Sequence, residues 1–534
     1  MATSLRHAVL SALSVLPVVQ SIGQIPARSS NTMASVLRTR ADCTDDPACI
    51  CDMLRATLTG ENSTLFPSDG ANYEDFEDVN YSAACRLPAA CIVNPKTAQE
   101  VSAVVNILSQ TGTKFAVRSG GHNYIPGFAS IDGGGVLVSL SKLNSTVLSG
   151  DKTTAKIGPG SRWESVYETL VPQGLIVVGG RVGPVGVGGL MLGGGLSYFA
   201  TQLGLACDNV KSYEVVLANG SIVTATADNQ YSDLYKGLRG GATNFGIVTN
   251  YELYTYPANQ FYVDARAYSP NQTSDFLRAV AEYQKEGQLD PLSSVSVCHN
   301  LLPPSPLSLG PRTTRRIQLI ATGPTLLMLY NKPVQQAEAF DTFYALGSYQ
   351  PILPAFNGTM LDILALTGSR FPTGEVRTYG ETFTHKADAD LMVQLYDIFT
   401  EETASLPSGA SAVWVPNPIA ASVATLGKQR GGNLLGLQAV PQEWYEWFIT
   451  WVDPAQDSII WDISQRITQR CTDAAKAKSL SLPYLFMNTA GKTQDVLSSY
   501  GTDSVAFIKA TAAKYDPGQF FQKLQNDGFL IRDL

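Results

Sequence analysis

Nine of the seventeen residues from 179 to 195 are glycine, and an upstream run, Arg118-Ser119-Gly120-Gly121-His122-Asn123, holds a further adjacent pair. Glycine this dense in an otherwise apolar stretch constrains the fold sharply. Either the backbone turns through conformations closed to other residues, or it approaches a group that leaves no room for a Cβ. A large, flat, anionic cofactor is the natural occupant, and successive backbone N–H groups at residues Ser119, Gly120, Gly121 and Asn123 would form a concave donor nest for its pyrophosphate without lysine or metal. Gly186, Gly188 and Gly189 would let a second segment run flat along the ring system. The alternative is a tight-turn packing motif with no ligand.

Two familiar nucleotide signatures do not fit. The dinucleotide fingerprint needs a third glycine where Met191 follows Gly186 and Gly188. The phosphate-loop signature fails because Gly491-Lys492-Thr493 has Phe486 in place of its leading glycine.

A different flavin module does fit. The Arg118–Asn123 run, Gly180-Arg181-Val182-Gly183-Pro184-Val185-Gly186-Val187-Gly188-Gly189, Gly193-Gly194-Gly195, Gly204-Leu205-Ala206-Cys207-Asp208-Asn209-Val210 and Leu238-Arg239-Gly240-Gly241-Ala242-Thr243-Asn244-Phe245-Gly246 resemble the FAD-binding half of the vanillyl-alcohol-oxidase superfamily. The likeness is to its berberine-bridge-enzyme-like branch, with a PCMH-type FAD-binding domain, in the form common among fungal secreted oxidoreductases. It returns near the C-terminus in Tyr484-Leu485-Phe486-Met487-Asn488 and Tyr515-Asp516-Pro517-Gly518-Gln519-Phe520-Phe521.

The resemblance implies an FAD held covalently by His122 through the flavin 8α-methyl, a bond that makes the ring a stronger oxidant and prevents its loss. It adds Arg118, Val187, Gly194, Asp208, Val210, Gly246 and Val248 to the cofactor-binding set, with Asn488 at the pyrimidine side of the ring. The remaining histidines, His7 in the leader and His299 and His385 downstream, read as ordinary polar residues. Two positions depart from the family pattern. Val182 stands where many relatives carry a cysteine that links the flavin a second time, so a single linkage and a less open site are expected; Cys207 is read as a small buried residue. Thr489 stands where several relatives carry a tyrosine base, and threonine has no useful acidity near neutral pH. Tyr484, or an acidic residue of the substrate domain, would then take the proton. Val185 occupies the position that gates O2 in similar proteins, where valine accompanies oxidase behaviour.

The rest of the chain suits a secreted enzyme. Arg6 and His7 precede an apolar run over residues 8–19, and Val19-Gln20-Ser21 offers a cleavage site, so residues 1–21 read as a signal peptide; a buried N-terminal helix is the alternative, weakened by Pro17. Sequons at Asn62, Asn80, Asn144, Asn219, Asn271 and Asn357 are compatible with glycosylation. Eight cysteines, five of them between Cys43 and Cys91, suit an oxidising compartment, and the resemblance pairs Cys51 with Cys91, leaving Cys43, Cys49 and Cys85 unassigned. Metal binding is the alternative for this cluster, though it contains no histidine. A net charge of −8 without a block of like charge argues against a nucleic-acid partner, and no later apolar run is long enough for a membrane span.

At 534 residues two domains are expected, in an α+β fold. A Cys-rich segment (22–86) precedes the PCMH-type domain (87–257), a substrate domain follows (258–474), an antiparallel sheet covered by helices, and residues 475–534 return to the flavin domain. Periodicity predicts helices over 46–60 and 97–110 and strands over 113–117, 135–140, 154–157, 215–217, 222–225, 246–256, 261–267 and 316–321. The expected chemistry is hydride transfer from a small alcohol or secondary-metabolite intermediate to FAD and then to O2, giving H2O2. A carbohydrate oxidase and a non-redox secreted flavoprotein, either a cyclase or a binding glycoprotein, are the alternatives.

Overall fold

Local sequence signals set the first helices. Asp46 accepts the Ala48 and Cys49 N–H groups and starts the helix Pro47–Thr57. Thr97 caps Ala98–Thr111 by accepting the Glu100 N–H at 3.1 Å, and Gly112, at φ +69°, ends it in a left-handed conformation that glycine adopts without strain. The inward stripe Val101, Val104, Val105 and Leu108 is fully buried. The computed structural model describes Cys43 and residues 46–301, 323–368 and 375–534. The leader, most of the segment 22–45 and the strand expected over 316–321 lie outside them.

The described residues form three sheets. In the first, Cys91–Val93, Val136–Ser139 and Phe115–Arg118 run parallel, with Thr64–Leu65 antiparallel at the edge. Loop 119–123 leaves the C-terminal end of Phe115–Arg118, where open parallel sheets place their ligands. The second sheet is antiparallel, in the order Thr146–Leu148, Thr154–Ile157, Ile247–Pro257, Val210–Val216 and Ile222–Thr226, with Leu175–Val177 pairing the far end of Ile247–Pro257. From Leu175–Val177 the chain enters the glycine-rich segment.

The third sheet has eight antiparallel strands, from Gln350–Gly358 at one edge through Phe261–Ala267, Pro324–Tyr330, Ser293–Leu301, Ser411–Ile419, Gln442–Trp451 and Arg377–Lys386 to Ser481–Leu482. One face packs against the helices Thr273–Lys285, Ala389–Thr403 and Asp457–Ala477 through a core rich in tryptophan and tyrosine. The other face joins a core that also contains Val187, Met191 and Leu205 of the glycine-rich region. Residues on this second face therefore look toward the loops that the sequence singles out.

Two disulfides brace the N-terminal segment. Cys51 pairs with Cys91, tying the first helix to the first sheet, and Cys43 pairs with Cys49, leaving Cys85 as a buried thiol. Four of the five clustered cysteines are thus consumed as disulfides, which removes the thiolates a metal site would need. One sequon is corrected by the fold: Asn80 is 2% exposed and its amide donates to Cys85 O at 2.9 Å, so an attached glycan has no room there. Asn144, Asn219, Asn271 and Asn357 are exposed, and Asn62 is partly so.

Candidate active site

The two glycine-bearing loops cross in direct backbone contact. A Cβ on Gly120 would stand 2.5 Å from Gly186 Cα, and one on Gly186 would stand 2.5 Å from Gly120 Cα. No residue with a side chain fits at either place. Ser119 fastens the crossing: its hydroxyl donates to Pro159 O and accepts the Gly188 N–H at 3.1 Å. Arg162, which the sequence did not single out, donates to Pro184 O beside the crossing, and burial lowers its guanidinium below the usual range.

Other glycines serve packing. Gly179 and Gly180 lie against the Trp163 indole, where a Cβ would come within 2.1 and 2.3 Å of ring atoms. Gly193 lies against the Asn488 amide. Gly189 differs: it is exposed, and a Cβ there would meet nothing within 4 Å. An open strip at one glycine, framed by glycines packed shut, is a cradle shaped for a flat group and fits the ring expected from the sequence.

The remaining predicted cofactor residues fall into two sets. Gly121, at φ +65°, and Asn123, whose Oδ1 accepts the Ile125 N–H at 2.7 Å, shape the first loop; Val187 and Gly194, at φ +109°, shape the second. Arg118, Asp208, Val210, Gly246 and Val248 are structural supports. The Arg118 guanidinium is 1% exposed and donates to Phe76 O and Glu77 O, so what this position offers a ligand is backbone. Asp208 accepts from the Leu205 N–H and from Asn433, both within 3.0 Å. Val210 and Val248 are buried strand residues, and Gly246 packs against Val215 and Val216. Asn488 brings the C-terminal segment to the cradle: its Oδ1 accepts the Gly195 N–H at 3.1 Å while Nδ2 donates to Gly189 O and Leu190 O.

His122 is partly buried and stacks on Tyr81, ring centroids 4.4 Å apart and planes within 4°. Burial, reinforced by the Arg162 cation, lowers its imidazole to about 4. Near neutral pH the ring is uncharged and keeps a nucleophilic lone pair. Two residues on, the buried Tyr124 donates to Thr489 O, and its ring meets Tyr379 and Phe448 edge-on. His299 and His385 sit elsewhere, buried among aromatic rings of the large sheet.

The sequence comparisons match residues 89–226 to an FAD binding domain family. The chain is 37% identical to an FAD-dependent monooxygenase of Arthrobotrys oligospora, covering 99% of this chain and 97% of the relative. The chain belongs to the same family of FAD-dependent oxidoreductases as this relative. It is also 39% identical to the FAD-dependent monooxygenase macF of Penicillium terrestre (90% and 89% covered) and 33% identical to the bifunctional solanapyrone synthase of Alternaria solani (90% and 90% covered). The fold resembles chitooligosaccharide oxidase, with a TM-score of 0.70 at 21% identity over 90% of this chain and 100% of that one. It likewise resembles the glucooligosaccharide oxidase of Acremonium strictum, whose FAD is 6-S-cysteinyl and 8α-N1-histidyl, with a TM-score of 0.71 at 17% identity over 90% and 99%.

For an FAD-dependent oxidoreductase the residue of most interest is one the sequence concealed. Glu446 lies on Gln442–Trp451, in register with Thr382 and Val415, and its alternate neighbour Trp444 belongs to the core shared with the glycine-rich region. Its side chain therefore faces the glycine-rich region. It is 4% exposed, and Asn417 Nδ2 donates to Oε1 at 2.8 Å. Burial raises its carboxyl to about 7, against the lowering influence of the Arg181 guanidinium and the Asn417 bond. Tyr484 is corrected as a base: it is 2% exposed, packed on Trp444 and Tyr500, and burial holds its phenol well above 10. Thr489 directs its hydroxyl to Phe486 O at 3.5 Å. Val185 and Val182 are partly buried in the cradle loop.

Proposed function

We propose that this oxidoreductase is a secreted oxidase of a small hydroxylated metabolite, with FAD linked once, through His122, and O2 as electron acceptor. The observation that carries the reading is Glu446: a buried carboxyl on the sheet face turned toward the cradle, poised near neutrality. A base tuned this way is deprotonated often enough to act and basic enough to take a proton. FAD, when bound, would supply a two-electron acceptor for the substrate and the chemistry by which O2 is reduced to H2O2. Loops 119–123 and 186–189 orient the ring, and Asn488 and Ser119 hold them in place.

Glu446 receives the substrate O–H proton as the C–H bond is broken, and Asn417 keeps its carboxylate aimed. The neutral imidazole of His122 supports the covalent bond, and Val182 supports the absence of a second one. Val185 supports access of O2. Secretion, with glycans at Asn62, Asn144, Asn219, Asn271 and Asn357, rests on the leader and sequons, and the division into flavin and substrate domains on the separate sheets.

A second reading is favoured by the relatives named FAD-dependent monooxygenases: one atom of O2 enters the product. Anaerobic mixing with a panel of alcohols and aromatic metabolites, followed by admission of 18O2, separates the two. Bleaching, rapid reoxidation and stoichiometric H2O2 without labelled product are expected. Label in the product replaces the oxidase by a monooxygenase, and bleaching by no member of the panel removes the oxidation of such metabolites. A bulkier residue at Val185 is expected to slow reoxidation while leaving bleaching intact.

A further inference from the structure

The N-terminal segment lies across the first glycine loop as a strap with no part in the chemistry above. Residues 76–83 precede the matched FAD binding domain, residues 89–226, yet they meet the loop at three places. Arg118 donates to Phe76 O and Glu77 O. A Cβ on Gly121 would stand 2.9 Å from Asn80 Oδ1 and 3.2 Å from Val79 O, and Gly121 O accepts the Tyr81 N–H at 2.8 Å. The third place is His122, which stacks on the Tyr81 ring. Beyond Tyr81 the strap is fastened to the large sheet: Ser82 Oγ accepts the Thr378 N–H at 3.0 Å, and the Ala83 N–H donates to Val376 O at 2.9 Å. Tyr81 is therefore fixed through its own backbone and through both residues that follow it.

Tyr81 presents a ring face to the histidine. The centroids lie 4.4 Å apart with the planes within 4° of parallel. The last torsion of a histidine side chain is broad, so a packing partner has to choose the ring orientation. The lone pair of an imidazole nitrogen lies in the ring plane, and turning that plane turns the direction of attack. A parallel stack fixes the plane and leaves the ring edge, with its nitrogens, uncovered. An aliphatic side chain of the same bulk fills the space without fixing the plane.

We propose that Tyr81 is a positioning residue for flavin attachment, its ring setting the plane in which the His122 imidazole meets the 8α-methyl carbon of FAD. The inference deepens the covalent reading above and rests on it. Attachment replaces one imidazole N–H bond and one methyl C–H bond by an N–C bond. The two electrons released pass by way of the flavin ring to O2, which with the two protons gives H2O2. Tyr81 takes no part in that exchange and acts through His122. The strap therefore supplies, from outside the matched domain, a part of the site that the glycine loops lack.

Apoprotein from riboflavin-starved cells, incubated with FAD in air, tests the proposal when total bound flavin and acid-stable flavin are followed together. The parent and Tyr81→Phe, which keeps the ring face, are expected to attach flavin at like rates. Tyr81→Leu is expected to take up FAD nearly as the parent does and to attach it at least about tenfold more slowly, since small misplacements of a reacting group cost on the order of 10²-fold. Attachment by Tyr81→Leu at the parental rate overturns the proposal, as does a Tyr81→Phe protein as slow as Tyr81→Leu. Loss of FAD uptake in step with loss of attachment marks Tyr81 as merely structural and also overturns it. Where Tyr81→Leu does not fold, Tyr81→Met, flexible and without a ring, takes its place with the same outcomes. A parent without acid-stable flavin, or with it on a peptide lacking His122, refutes the covalent reading and the proposal together. A parent attached through His122 beside an equally fast Tyr81→Leu refutes the role of Tyr81 alone.

Discussion

Replacing Glu446 by glutamine separates its chemical role from its cost to the fold. The carboxyl moves from its ordinary 4.5 to about 7 on folding. At about 1.4 kcal/mol per unit, this amounts to about 3 kcal/mol of stability forgone once the pH passes 7. The native state holds the proton more tightly than the unfolded chain, so the stability is fully present below the ordinary carboxyl value and disappears as pH rises through about 7. Glutamine keeps the acceptor that Asn417 needs and cannot ionise. Glu446→Gln should therefore match the parent near pH 4 and exceed it by up to about 3 kcal/mol near pH 8 in denaturant unfolding. Anaerobic flavin reduction by a bleaching substrate should fall about 10²- to 10⁴-fold and lose its rise through pH 7. A variant that reduces flavin at close to the parental rate, or a stability gain of equal size at both pH values, would refute the reasoning.

His122→Ala should release its flavin into the supernatant on acid denaturation, while the parent yields a coloured pellet and a single flavin-bearing peptide containing His122; a flavin cross-linked to two peptides would contradict the Val182 argument. Gly189→Ala should fold at least as well as the parent, since the new Cβ meets no protein atom and alanine favours a helix by up to about 1 kcal/mol, yet carry less flavin. Gly120→Ala, whose Cβ would stand 2.5 Å from Gly186 Cα, should fail to fold; full flavin occupancy in the first or normal yield of the second speaks against the cradle.

Elements governed by local signals were legible. Thr154–Ile157 and Phe261–Ala267 fall where alternation puts them, and Ala98–Thr111 differs by one residue because Thr97 turns from helix member to cap. The strand expected over 215–217 is the end of a longer one, Val210–Val216, whose partner Ile247–Pro257 extends its pairing beyond what its own residues indicate. The site was legible where glycine marks close approach and illegible where polarity misleads. Arg118 sits in the motif but serves the carbonyls of a helix end. Glu446 hides in Gln442–Trp451, where both faces are covered and the apolar alternation that would assign it a side is absent.

The sequence by itself determined where the two glycine loops lie and which family the chain resembles, because backbone approach demands glycine at particular positions and that demand is written locally. Tertiary structure alone decided which polar residues face the glycine-rich region. Glu446 gains its raised carboxyl and Tyr484 its burial from strands and loops distant in the chain, and the desolvation and charge that tune a side chain depend on what surrounds it in space.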